Sequence, residues 1–148
     1  MYELLSGLTG FEPAPRTDLK ALRAACHDAA RNTGGQVADF TEARIAMSYH
    51  VALIAYRDDT VAVLANAFHP LLAIAEPPRP HEFRPPFREA PELVTALAAH
   101  EPFRVLSTSD LDRPLSTVDT SRLTKAEHRE LRTWKASTIG DVVFNHWD

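Results

Sequence analysis

Cysteine is nearly absent from this sequence, since Cys26 is the only one among 148 residues. An intrachain disulfide is therefore excluded, and a zinc site built on cysteines would lack ligands. A reducing compartment suits such a chain, so we expect a cytoplasmic protein. Glycine is also scarce, at five residues. No glycine-rich phosphate loop occurs, which argues against nucleotide binding.

Long hydrophobic runs are missing as well. The longest apolar region, near residues 45–76, is interrupted by Arg57, Asp58 and Asp59, so we expect no membrane span. The first sixteen residues lack the parts of a signal peptide. The net charge of −4 argues against a general nucleic-acid binder, which needs a basic face. Arginine far outnumbers lysine, a bias that we interpret as bacterial.

Hydrophobic periodicity predicts three helices. The first covers about residues 17–32, where apolar residues recur at three- and four-residue steps. The second covers about residues 90–100 and has a proline in its first turn. The third begins at a capping box formed by Thr124 and Glu127 and runs to about Lys135.

Alternating patterns predict an antiparallel sheet. Residues 44–57 and 60–68 form a hairpin across an Asp-Asp turn, and residues 71–75 add a strand, so the block 44–76 is a meander. We therefore expect a single α+β domain over residues 1–148, with about three helices packed on one face of the sheet. Shorter strands are predicted at 36–40, 103–106 and 141–144.

The seven histidines show no metal-ligand spacing, since neither His-x-x-x-His nor His-Glu-x-x-His occurs. We expect neither a metal nor a cofactor. One possible ligand set joins His146 to Asp141 and Asp148. The interpretation that we favour instead leaves His146 facing solvent beside a buried Trp147.

His50 lies in the middle of a predicted strand. A neutral histidine there can carry protons, although a hydrogen-bonded core residue is commoner. With Tyr56, Trp134 and the proline-rich segment 77–91, His50 would line a pocket between the sheet and the helices. Such a pocket would suit a small enzyme or a ligand-binding protein. The segment 77–91 itself is a lid, a docking segment or a stiff connector.

The last residues, 134–148, follow the pattern W-K-x(4)-G-D-x-x-F-N-x-W-D. This ending resembles that of small bacterial immunity-type proteins, some of which occur beside toxin genes. The resemblance implies a cytosolic protein that neutralises a partner toxin by covering its active site, and it assigns no catalytic residue. The residues themselves predict a last strand that closes the core, in which Asp141 and Asn145 tie down backbone groups.

The leading hypothesis is therefore a non-enzymatic binding protein whose partner is another protein, with its oligomeric state left open. The alternative is the small enzyme or ligand-binding protein with a pocket near His50. A flat aromatic or acidic surface would favour the first, and a deep pocket bearing His50 would favour the second. The candidate contact residues are His50, Tyr56, Trp134, Asp141, Asn145 and Trp147.

Overall fold

The computed structural model describes residues 4–10, 16–79 and 84–147. Within these residues, five strands form one sheet and five α-helices pack on it. The strands are β1 (Gln36–Thr41), β2 (Tyr49–Ala55), β3 (Thr60–Asn66), β4 (Leu71–Ala75) and β5 (Arg104–Val105). The helices are α1 (Leu19–Asn32), α2 (Pro91–Ala98), α3 (Thr108–Leu111), α4 (Lys125–Thr133) and α5 (Ile139–Val143), with a short 3-10 helix at Leu115–Thr117.

The sheet has the order β1-β2-β3-β4-β5, and its first four strands form an antiparallel meander. β5 pairs with β4 in parallel, and α2 makes the crossover that a parallel pair needs. The predicted α+β class and the predicted meander are thus confirmed. The predicted start of the hairpin at residue 44 is wrong, because β2 begins at Tyr49 and the residues before it form a turn.

Both faces of the sheet are covered, whereas the sequence predicted helices on one face only. Strands β2 to β4 are apolar at nearly every position, which is typical of strands that are buried on both sides. α1 and α2 pack on one face, where Ile54 and Val63 meet Leu22 and Leu97. On the other face, α3 to α5 and segment 4–10 surround Phe144, which is fully buried.

The three predicted helices are present, and the proline in the first turn of α2 and the capping box of α4 are where the sequence predicted them. Asp18 caps α1 by accepting from the N–H groups of Lys20 and Ala21. Thr124 and Glu127 form the predicted capping box of α4, at 3.2 and 3.3 Å. No helix in the described part of the chain is both long and apolar enough to cross a bilayer.

The C-terminal segment is a helix and not the predicted strand at 141–144. Thr138 caps α5. Its hydroxyl accepts the backbone N–H of Asp141, and the Asp141 carboxylate accepts the backbone N–H of Thr138. The capping box commits the first turn to a helix, and the helix buries the adjacent Val142 and Val143 together. α3 begins with a similar box, so the described residues hold five α-helices where about three were predicted.

Gly140 gives a test of how tightly α5 packs. A Cβ atom at this position would lie 2.7 Å from Cε2 of Phe87 and 3.2 Å from the carbonyl oxygen of Leu111. Alanine is the better helix former by about 1 kcal/mol, but overpacking of this kind costs about 1–3 kcal/mol. We therefore expect Gly140→Ala to lower the free energy of unfolding, measured by urea denaturation.

Replacing the neighbouring ring of Phe87 with a smaller side chain provides the control. Phe87→Leu should relieve the contact, so Gly140→Ala should cost less in a Phe87→Leu background than in the wild-type chain. If Gly140→Ala raises the free energy of unfolding, helix propensity outweighs packing, and Phe87 does not pack tightly against Gly140.

Candidate functional site

A strained turn ahead of β2 presents an apolar side chain to solvent. The N–H of Met47 donates to the carbonyl of Arg44 at 3.0 Å, and Ala46 has a φ of 70°. These features match a type II turn, whose third residue is usually glycine. Ile45 occupies the second position of the turn and is 96% exposed.

A second left-handed residue ends α4. Lys135 has a φ of 55°, and the N–H of Ala136 donates back to the carbonyl of Leu131 at 3.0 Å, as in a Schellman motif. Trp134 caps the helix, is 38% exposed, and donates its indole N–H to Glu130 at 3.1 Å. The helix ends before this residue, which leaves the indole at the surface.

The rings of Trp134 and Trp147 stack on each other. Their centroids are 6.4 Å apart and their planes differ by 5°. Backbone contacts position Trp147. Its N–H donates to the carbonyl of Ala46 at 2.9 Å, and His146 forms an antiparallel β-bridge with Met47 at the end of the strained turn. The turn and the end of α4 therefore meet at Trp147. We call Ile45, Met47, Trp134 and Trp147 the tryptophan surface.

Basic residues adjoin the tryptophan surface in the chain. Arg44 precedes the exposed isoleucine, Arg132 lies in the last turn of α4, and Lys135 follows Trp134. All three are exposed, whereas the carboxylate of Glu130 accepts the indole N–H of Trp134. These exposed basic residues are thus close in the chain to Ile45 and Trp134, although the whole chain carries a net charge of −4.

His50 lies away from this surface and is only 3% exposed. Its ring stacks on Phe40 with the centroids 6.3 Å apart, and its Nδ1 accepts the N–H of Ala43 at 2.8 Å. Phe40 packs with the core of the α1 and α2 face, whereas Trp147 packs on the opposite face. The structure therefore does not bring His50 and Trp134 together.

Tyr56 lies beyond the other end of β2, about 20 Å from His50 at the usual rise of a strand. Its hydroxyl is 2.7 Å from the hydroxyl of Thr33. Together with Arg88 and Pro91 it lines a shallow cavity of about 440 Å³. Tyr56 and the end of segment 77–91 thus line the same cavity, but His50 and Trp134 do not belong to it.

Asp141 holds segment 77–91 against α5. Arg84 donates to both of its carboxylate oxygens, at 2.8 and 2.9 Å, and the N–H of Ser137 donates at 3.0 Å. Burial raises the pKa of Asp141, but these donors outweigh it and the pKa lies below its usual value. Segment 77–91 is thus tied to α5 through Arg84, and its residues 80–83 lie outside the described part.

Asn145 is buried and bonded entirely within the protein. Its side-chain amide donates to the carbonyls of Thr9 and Val142, at 3.1 and 3.0 Å, and its backbone N–H donates to the Ser48 hydroxyl. It ties down backbone groups, but from the end of a helix and not from a strand. It positions Trp147, two residues on, and does not itself reach a partner.

The described residues offer neither a cluster of metal ligands nor a reactive thiol. No group of three or more His, Cys, Asp and Glu side chains there could hold a metal ion. Asp148, the third member of the set considered above, lies outside the described part. Burial raises the pKa of Cys26 to about 12, so its thiol stays protonated and is a weak nucleophile.

The stacked tryptophans should show coupled stabilities. We expect Trp147→Ala to cost about 2–3 kcal/mol because its ring packs on the core, and Trp134→Ala to cost about 1 kcal/mol or less. The double variant should lose about 0.5–1.5 kcal/mol less than the sum. Urea denaturation measures all three, and strictly additive losses would show that the rings do not interact.

The position of His50 predicts a pH dependence. Burial lowers its pKa, with Arg16 and Arg23 adding to the effect and Glu42 opposing it. The folded-state pKa is then below the unfolded value of about 6.5, so on acidification the unfolded state binds the proton first. The stability is therefore full above about pH 6.5 and falls as the pH drops below that value.

His50→Asn isolates this contribution, because its side-chain oxygen can accept the N–H of Ala43 but does not titrate. Unfolding free energies measured from pH 7.5 to 5 should fall less steeply for this variant than for the wild-type chain. Equal slopes would show that the pKa of His50 does not differ between the two states.

Comparisons with family models, with curated proteins and with solved structures each gave no match for this chain. The likeness of the C-terminal pattern to immunity-type proteins therefore stays a prediction.

Proposed function

We propose that this chain is a non-enzymatic protein-binding domain that docks through the tryptophan surface. One observation carries the proposal. Among the described residues, the non-glycine positions with positive φ are Ala46 and Lys135. Each adjoins an exposed apolar side chain, Ile45 in one case and Trp134 in the other, and both turns meet at Trp147.

Strain at these two positions supports a binding role. A non-glycine residue held in the left-handed region costs about 1–2 kcal/mol. Such residues collect at binding and catalytic sites, where the surrounding structure holds them in place. Tryptophan is enriched among the residues that dominate binding energy in protein interfaces. An isoleucine at the tip of a strained turn, beside stacked indoles, is an arrangement suited to contact.

The exposed basic residues near Ile45 and Trp134 indicate the chemistry of the partner. Arg44, Arg132 and Lys135 are exposed and lie one or two positions from Ile45 or Trp134 in the chain, so we expect a partner with an apolar cleft rimmed by carboxylates. Complementary charge at the rim speeds association and makes it depend on salt. The fully desolvated apolar contacts at the centre supply most of the affinity.

The C-terminal pattern supports a finer proposal. Gly140, Asp141 and Asn145 are used inside the fold, whereas Trp134 and Trp147 form the tryptophan surface. The pattern that resembles immunity-type proteins thus includes two of the four proposed contact residues, Trp134 and Trp147. We accordingly extend the proposal to an immunity protein that binds a toxin domain encoded beside it and covers its active site.

Binding to the product of the neighbouring gene tests the proposal. Calorimetry should give a 1:1 complex, and Ile45→Asp and Trp134→Ala should each weaken it at least tenfold. Lys135→Gly removes a rim charge while the left-handed φ suits glycine, so it should mainly slow association at low salt. Coexpression should relieve toxicity with the wild-type chain and fail with Ile45→Asp.

Leu5→Ala is the matched control, because Leu5 is exposed and apolar but lies outside the tryptophan surface. It should leave the affinity unchanged, and all variants should keep the cooperative unfolding of the parent. Tight binding that neither Ile45→Asp nor Trp134→Ala weakens would overturn the docking surface. Self-association through the same residues would overturn the choice of a different protein as the partner.

A further inference from the structure

A cavity of about 490 Å³ lies beside the tryptophan surface and shares Ile45 and Met47 with it. The strained turn ahead of β2 forms one wall of this cavity. The rest of the described lining comes from the end of segment 4–10, from the stretch that leads into α1 and from the loop after β3, namely Thr9, Gly10, Arg16 and Phe68. Because Arg16 and Arg44 both line it, we call it the arginine cavity.

An aromatic ring places Arg16 at the arginine cavity. The guanidinium carbon of Arg16 lies 5.5 Å from the centroid of Phe68, and the ring itself lines the cavity. Phe68 packs against Gly10, where a Cβ atom would lie 3.3 Å from Cε2 of the ring. An arginine over an aromatic ring contacts it with the face of the guanidinium, and the N–H donors stay at the edge. The donors of Arg16 can therefore still bind an anion.

The arginine cavity has no negative group of its own among the described residues. The charged residues that line it there are Arg16 and Arg44, and neither is paired with a described carboxylate. The buried carboxylate of Glu127 accepts the hydroxyl of Thr9 but does not line the cavity. Three other arginines do have carboxylate partners within the chain, namely Arg31, Arg84 and Arg88.

The charge of Arg16 also acts on His50, which does not line the cavity. Burial is the largest cause of the lowered pKa of His50, Glu42 opposes it, and Arg16 and Arg23 lower the pKa further. An anion bound at Arg16 would offset the charge of its guanidinium. The pKa of His50 would then rise, so the imidazole reports on occupation of the cavity.

We infer that the arginine cavity receives a carboxylate of the partner, an aspartate or glutamate side chain, beside an apolar residue of the partner that contacts Ile45. Arginine binds a carboxylate through two parallel N–H bonds, which fixes the orientation of the pair. Phe68 holds Arg16 in place before binding, which lowers the entropy cost. This inference rests on the proposed protein-binding function and extends it by naming the group that the partner supplies.

The first probe is the peptide acetyl-leucyl-aspartate amide, titrated into the protein above pH 5, where its carboxylate is ionised, and followed by NMR. We expect saturable shifts of the amides of Gly10, Ala43 and Ile45 and a rise in the pKa of His50. The matched peptide with asparagine should bind at least about fivefold more weakly. Arg16→Gln should raise the pKa of His50 in the free protein and remove the effect of the peptide on it.

The second probe is the product of the neighbouring gene. Arg16→Gln and Arg44→Gln should each weaken its complex at least about fivefold and reduce the salt dependence of association. Arg57→Gln is the matched control, since Arg57 is exposed but does not line the cavity, and it should change nothing.

The two probes separate this inference from the proposed function. Equal binding of the aspartate and asparagine peptides, or no saturable binding of either, would overturn the carboxylate site. A complex that Ile45→Asp weakens but Arg16→Gln and Arg44→Gln do not would also overturn it and would leave the proposed function standing. If the aspartate peptide binds as expected and the neighbouring product does not bind, the carboxylate site is supported and the proposed partner is wrong.

Discussion

The carbonyl oxygen of Val143 joins the sheet to the C-terminal helix. It accepts hydrogen bonds from the hydroxyl of Ser48 at 2.8 Å and from the side-chain amide of Asn66 at 2.7 Å. Val143 ends α5, and the last carbonyls of a helix have no partner within it. Left unsatisfied in the core, such a carbonyl would cost about 1–3 kcal/mol. Hydrogen bonding, and not apolar packing alone, therefore fixes where α5 sits.

The same polar network extends to segment 4–10 and to the chain just before Trp147. Asn66 also donates to the carbonyl of Leu8, and Asn145 donates to that of Thr9. From α4, the fully buried carboxylate of Glu127 accepts from the hydroxyl and the N–H of Thr9. Asn145 also fixes the chain just before Trp147, because its backbone N–H donates to the hydroxyl of Ser48. Few of these pairings are local in sequence, and each satisfies a group that burial would otherwise penalise.

Local signals in the sequence predicted most of the fold, and long-range contacts decided the rest. The box at Thr124 has glutamate in its third position and was recognised, whereas the box at Thr138 has aspartate and lies before a run that alternates like a strand. The tryptophan surface was only half predictable. Both indoles were candidates, but their stacking depends on left-handed turns at Ala46 and Lys135. Neither position holds the glycine or asparagine that would signal such a turn.

Backbone hydrogen bonds hold both turns in place. The carbonyl of Ala46 accepts the N–H of Trp147, and the turn at Lys135 is closed by the Schellman bond of the helix end. The indole of Trp134, next to Lys135, then lies against the indole of Trp147. The positions of Ile45 and Trp134 are therefore coupled, because the turn that carries Ile45 and the indole of Trp134 both contact Trp147. The backbone of the turn at Ile45 and the indole of Trp134 are held in place when the chain folds, so a partner that contacts them would not have to order these parts.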